Sequence, residues 1–188
     1  MAETQDVRNG SRFTFGAEWS FISSFHSVIH HNFFSEEGYR MDLIQWNMGY
    51  ESNGEVELHC GYNLSDFWNI SLHAGFAGIY DIGNAIPVSM RLTRFFNENK
   101  AGDRWLCYLD MGSGVCIKQN PQMIAVAKAG GGYRISLSRT TKMDFLLALR
   151  TSLTHPYIVM DGYIVPFDKI NRNNAFISAL SLGISLTF

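Results

Sequence analysis

Apolar residues alternate with small or polar ones at a period of two over most of the chain. Near its end, Phe176, Ser178, Leu180, Leu182, Ile184, Leu186 and Phe188 interleave with Ile177, Ala179, Ser181, Gly183, Ser185 and Thr187. Successive side chains leave a strand on opposite faces, so this pattern marks a strand that separates two unlike environments. No stripe at helical spacing with caps accompanies it. The expected class is all-β.

Eight segments carry the alternation. The first is about Arg12–Phe25, with Phe13, Phe15, Ala17, Trp19 and Phe21 on one face. The second ends at Leu64 and carries Val56, Leu58, Cys60 and Tyr62. Asn69–Tyr80, Ile86–Phe95, Arg104–Ile117, Met123–Leu137, Met143–Leu153 and Ala175–Phe188 follow. Connectors at Ser65–Trp68, Phe96–Asp103 and Ser138–Lys142 are short, whereas two on the other side are long, from about His26 and from about Thr154 to Asn174. Short turns on one rim and longer loops on the other predict an eight-stranded antiparallel up-and-down transmembrane β-barrel. Residues 1–10 read as a polar tail and 11–188 as a single barrel domain.

Asn53-Gly54 is a strong hairpin signal. A turn there would give nine strands, whereas bacterial barrels have even numbers. Apolar parity also runs unbroken from Ile44 through Val56 to Leu64. One long second strand, bulged near Asn53 and reaching beyond the membrane, is therefore expected.

The second face decides which side is inward. It carries Glu18, Glu57, Asp110 and Asp144 against Arg91, Lys128, Arg134 and Arg150, four acids and four bases, among many Gly and Ser. A balanced set suits a narrow lumen filled by side chains, where each ion must find a partner or bear its desolvation. The apolar set is nearly free of charge, as a lipid-facing band must be. A soluble lipocalin-like ligand-binding barrel, the third reading, would need far more charge on its polar face.

Composition narrows the picture further. The 188 residues are 46% hydrophobic, 14% aromatic and only 17% charged, which excludes a disordered chain. A formal charge of −2 and a pI near 6.3 exclude a nucleic-acid binder of the usual basic kind. Cys60, Cys107 and Cys116 have neither CxxC nor metal-ligand spacing and read as small hydrophobes. Met1-Ala2-Glu3 lacks a basic and an apolar leader region, so an outer-membrane address implies a leader already removed.

Three segments give the chain a resemblance to the small porin-like outer-membrane β-barrels, the class that includes the OmpA-type transmembrane domain. Ala179–Phe188 looks like the terminal strand that the barrel-assembly machinery reads, ending in Phe188. Ala85-Ile86-Pro87-Val88-Ser89-Met90-Arg91-Leu92 looks like the fourth strand of such barrels, with an inward Arg. Cys60–Leu64 followed by Phe67–Leu72 looks like their second hairpin. The resemblance implies a fold and an address, the bacterial outer membrane, rather than a reaction. It also implies outer-membrane lipid and lipopolysaccharide as surroundings, and a monomer.

Candidate chemistry is sparse. His26, His30, His31 and His155 fall in the two long loops, where imidazoles can bind partners, a metal or a proton. Exposed loop histidines, with no metal and no cofactor, are the expected reading. His26-Ser27 with Glu36 and Glu37 invites an acyl-hydrolase reading of the lipid A-modifying kind, because a Ser nucleophile needs a base and an orienting carboxylate. Adjacent residues on a strand project oppositely, which argues against that dyad. His59 and His73 join Glu57 on the inward face, where a hydrogen-bonded lumen network is expected. The last loop is apolar, with Tyr157, Tyr163 and Phe167 among its large residues. It reads either as an interaction surface or as packing against Phe33, Phe34 and Tyr39. The functional expectation is a structural or interaction barrel with a filled lumen, and a lipid A-modifying acyl hydrolase is the alternative.

Overall fold

The computed structural model describes residues 12–35, 37–80, 83–97, 102–117, 123–160 and 162–188. The tail at 1–10 lies outside that set. Strands β1 (Phe13–Phe34), β2 (Arg40–Asn47), β3 (Glu51–Asn63), β4 (Trp68–Ile79), β5 (Gly83–Phe96) and β6 (Arg104–Cys116) come first. They are followed by β7 (Met123–Ser136), β8 (Lys142–Thr154), the short pair β9 (Val159–Met160) and β10 (Tyr163–Ile164), and β11 (Ile170–Thr187). One antiparallel sheet runs in the order β11-β8-β7-β6-β5-β4-β3-β1-β2, and an extra β1–β11 pairing closes it.

β1 pairs with β3 from Phe13↔Tyr62 to Ser24↔Glu51, and with β2 from Ser27↔Asn47 to Phe34↔Arg40. β2 and β3 are therefore two halves of one stave, and the closed barrel has eight staves. The expected bulge is present but displaced. Between those registers β1 advances from Ser24 to Ser27 while the facing chain runs from Glu51 to Asn47, one residue more, so the irregularity falls at Met48-Gly49-Tyr50. Asn53-Gly54 lies inside β3 in regular register with Ile22 and Phe21.

Two strand ends also differ from the sequence reading. β1 continues past Phe25 to Phe34, and β11 begins at Ile170 rather than Ala175. The cause is a register shift between Ser24 and His26, which exchanges the parity of the faces at Phe25. Beyond it both faces mix apolar and polar groups, so no alternation survives to be read. The upper parts of β11, β1 and β2 form a three-stranded extension above the barrel, and the far edge of β2 pairs with no strand among the described residues.

Polarity is inverted relative to a soluble protein. Glu57, Asp110 and Arg150 are 1–2% exposed, whereas Leu58, Trp105 and Met111 are 65–68% exposed. A soluble ligand-binding barrel would bury the apolar set, and the reverse is observed. Aromatic pairs gather near the short-turn rim, Phe13 against Tyr62 at 5.2 Å and Trp105 against Tyr133 at 4.9 Å, as an interfacial girdle requires. Short-turn hydroxyls hold that rim: Ser65 Oγ accepts from the amides of Phe67 and Trp68, and Ser138 Oγ from those of Thr140 and Thr141. The walls approach closely where the polar face carries glycine. A Cβ on Gly75 would meet the Val56 carbonyl oxygen at 2.0 Å.

Candidate functional site

The lumen is layered. Phe95, Leu106, Tyr108, Leu146 and Ala148 pack toward the short-turn rim, and Ile79, Ala85, Cys116, Ile124, Val126 and Ile177 toward the long-loop rim. Charges fill the space between.

Register places Arg91, Asp110, Lys128 and Arg150 side by side on β5, β6, β7 and β8, with Glu18 and Glu57 side by side on β1 and β3. The ion pairs then cross the barrel. Arg91 Nη1 lies 2.6 Å from Glu18 Oε2, three staves away, while its Nε donates to Asp110 Oδ2 at 3.0 Å on the neighbouring strand. Lys128 Nζ reaches both Glu57 oxygens at 3.1 Å and Glu55 Oε2 at 2.8 Å, four staves away on the opposite wall. Arg150 Nη1 lies 3.1 Å from Glu55 Oε1. Nearer the short-turn rim, Arg134 grips Asp144 with two 2.7 Å bonds and lies over the Phe95 ring beside Arg104.

His59 and His73 stack at 5.0 Å between ring centres. His73 also approaches Ser71 Oγ at 3.0 Å and Glu57 Oε2 at 3.5 Å, and His59 approaches Thr187 Oγ1 at 3.4 Å. All ten lumen residues expected from the sequence therefore belong to connected polar clusters. Ser71, His73, Arg91, Arg134 and Asp144 on one side and Phe95, Leu106 and Leu146 on the other line a cavity of about 30 Å³, room for roughly one or two waters.

Glu55 and Arg104 were missing from the sequence reading. Glu55 shares the odd parity of Glu57 and His59, and treating Asn53 as irregular hid it. Arg104 opens a strand whose next inward residues, Leu106 and Tyr108, are apolar, so the polar face there did not announce itself. With both included the described lumen holds five acids and five bases.

The extension holds the remaining candidates. The loop assignment of His26, His30 and His31 is corrected: all three lie on β1, and alternation sends His31 to the other face. His26 packs its ring 5.8 Å from Trp46, and His30 Nε2 meets Asp42 Oδ1 at 2.7 Å. His31 faces Asn173 on β11, and its Nε2 is buried without a hydrogen bond. His155 remains in the loop after β8, 2.5 Å from the Asn173 carbonyl oxygen. Burial and the neighbouring His30 hold the His31 imidazole below the ordinary histidine range, and the His30 hydrogen bond holds the Asp42 carboxyl below its own.

Ser27 is fully buried on the lumen side while His26 faces outward, so the two form no nucleophile–base pair. Glu36 lies outside the described residues, and Glu37 is exposed in the turn. The apolar loop divides between its two readings. Ile158 and Val165 bury against Phe33, with Met41, Met160 and Ile170 around them, whereas Val159, Ile164 and Phe167 stay exposed. Tyr157 contacts Phe167 edge-on at 6.1 Å, and the Tyr163 side chain lies outside the described set.

Comparison with known proteins bears out the fold. No family-level sequence model and no curated protein matches the chain. Among solved structures, the N-terminal β-barrel domain of OprF from Pseudomonas aeruginosa is similar over 96% of this chain and 100% of that one, with a TM-score of 0.52 at 12% identity. Neisserial surface protein A matches over 96% of this chain and 100% of its own, with a TM-score of 0.50 at 12% identity. The outer membrane protein OprG from P. aeruginosa matches over 94% and 95%, with a TM-score of 0.53 at 10% identity. The fold is that of a small eight-stranded outer-membrane barrel.

Proposed function

We propose that this protein is a bacterial outer-membrane barrel of structural or interaction type, closed to solutes and acting through its extension. The cross-lumen ion pairs carry the reading. An eight-stranded barrel is just wide enough to be filled by side chains, and here Arg91, Lys128 and Arg150 reach acids on facing walls across the middle of the lumen. Membrane lipid covers the apolar band, with lipopolysaccharide on the long-loop side, and the assembly machinery reads the terminal strand ending in Phe188. The barrel is monomeric, and recognition belongs to the exposed apolar residues of β2 and the last loop, Ile44, Trp46, Val159 and Phe167.

Planar-bilayer recording tests the proposal, with no large, stable openings expected. Regular conductance steps from the purified barrel would overturn it. Lipid A mass spectra from cells with and without the protein separate the enzymatic alternative, since a changed acyl pattern would favour it.

A further inference from the structure

Outward-facing residues on five consecutive staves form one continuous cross-strand row. Trp105 faces Tyr133, Tyr133 faces Phe145, Phe145 faces Ile184, and Ile184 faces Trp19. The next row toward the long-loop rim reads Cys107, Gly131, Leu147, Leu182 and Phe21. Between these rows lies a groove of 740 Å³, and Gly131 is the gap in the second row. That volume falls within the range of about 300–1,000 Å³ typical of small-molecule sites.

The glycines of β7 divide by cause. A Cβ on Gly130 or Gly132 would point inward and meet the carbonyl oxygens of Leu147 or Phe145 at 2.4 or 2.2 Å. Their side chains are excluded by the packing of the wall. A Cβ on Gly131 points outward and meets a single atom within 4 Å, the Leu106 carbonyl oxygen at 3.1 Å. Wall packing therefore demands glycine at 130 and 132 far more than at 131, where its effect is to keep the groove open.

We propose that this groove seats one acyl chain of a phospholipid in the periplasmic leaflet. The inference rests on the membrane reading above. The lining is almost wholly apolar and aromatic, which suits a hydrocarbon chain and offers a polar ligand little. Trp105 and Tyr133 belong to the girdle at the short-turn rim, which faces the periplasm in barrels of this architecture. Phospholipid, rather than lipopolysaccharide, fills that leaflet. In hydrocarbon surroundings retention comes from close van der Waals packing along the chain rather than from exclusion of water.

Native mass spectrometry of the barrel, extracted from membranes and exchanged into mild detergent, tests this. The expected result is one phospholipid retained by the wild type and at least tenfold less by Gly131→Leu, with the heat-modifiable fold intact. If Gly131→Leu fails to fold, Leu147→Phe narrows the same groove from the neighbouring strand and is expected to lower retention similarly. Equal retention by wild type and a folded variant, no lipid on the wild type, or a lipid A adduct in its place would overturn the proposal. A chain that stays monodisperse without detergent would instead overturn the membrane reading itself.

Discussion

Lys128 on β7 and Glu55 on β3 stand on opposite walls of the barrel and meet at 2.8 Å, with both side chains at most 2% exposed. Glu57 shares the same ammonium at 3.1 Å. Lys128→Met leaves two buried carboxylates short of a cation. The expected cost is about 3 kcal/mol, at the low end for breaking a buried pair because Arg150 and Arg91 still face those acids. Urea titration of the refolded barrel measures it. Adding Glu57→Gln to Lys128→Met restores the balance of acids and bases while Glu55 keeps Arg150 and Arg91 keeps Glu18 and Asp110, and should recover part of the loss; a double variant no better than the single one would count against the pairing.

Two glycines of adjacent strands should respond oppositely to alanine. Gly75→Ala drives a methyl group onto the Val56 carbonyl oxygen at 2.0 Å and should cost about 3 kcal/mol or more. Gly54→Ala meets nothing within 4 Å and is not among the positive-φ glycines, so it should be neutral or stabilise by about 0.4–1 kcal/mol. A large loss at Gly54 would revive the hairpin at Asn53-Gly54. Denaturation midpoints of both variants decide the matter.

Acid should loosen the extension before the barrel. The folded His31 imidazole titrates below its ordinary value near 6.5, so the unfolded extension binds the proton more readily. Stability is full above about pH 6.5 and falls as pH drops from there through the folded pKa. Asp42 is also depressed, but its contribution is lost only below about pH 4, where the unfolded carboxyl begins to protonate. Amide protection over residues 26–47, corrected for the intrinsic slowing of exchange in acid, should fall as pH drops below about 6.5, and His31→Gln should abolish the change. An unaltered pH profile in His31→Gln would exclude this histidine as the cause.

Ile158→Ala opens the small cluster with Phe33 and Val165. Truncation of a buried isoleucine costs about 2–5 kcal/mol, and here the cost falls on the loop. Proteases should cut within residues 155–169 while heat-modifiability of the barrel persists. Resistance equal to the wild type would show that the loop is held by other contacts.

The barrel was legible because every spanning strand separates lipid from a polar lumen, so Leu58 and Glu57 announce opposite faces. The charged network followed from the same parity. Its cross-wall pairing did not, since which acid each base reaches depends on curvature. The reading failed where that division of environments ends. Past Phe25 the register shifts and both faces mix apolar and polar groups, so the β1 extension passed for a loop. Glu55 was lost beside Gly54, whose turn signal is strong in isolation and overridden by pairing with Phe21. The groove at Gly131 was invisible for another reason. It depends on which outward residues of four other strands fall beside that glycine.

The seam between β1 and β11 runs from Gly16↔Thr187 to Phe33↔Ile170, joining strands far apart along the chain. The pairs that cross the lumen, Arg91 with Glu18, Lys128 with Glu55 and Glu57, and Arg150 with Glu55, can meet only when the walls face each other across a finished circumference. While that seam is open, Glu55, Glu57 and Lys128 have no facing wall to pair with; closing it lets each exchange water for its partner across the lumen. Dehydration of these cross-wall ions is thus tied to circular closure rather than to the pairing of neighbouring strands.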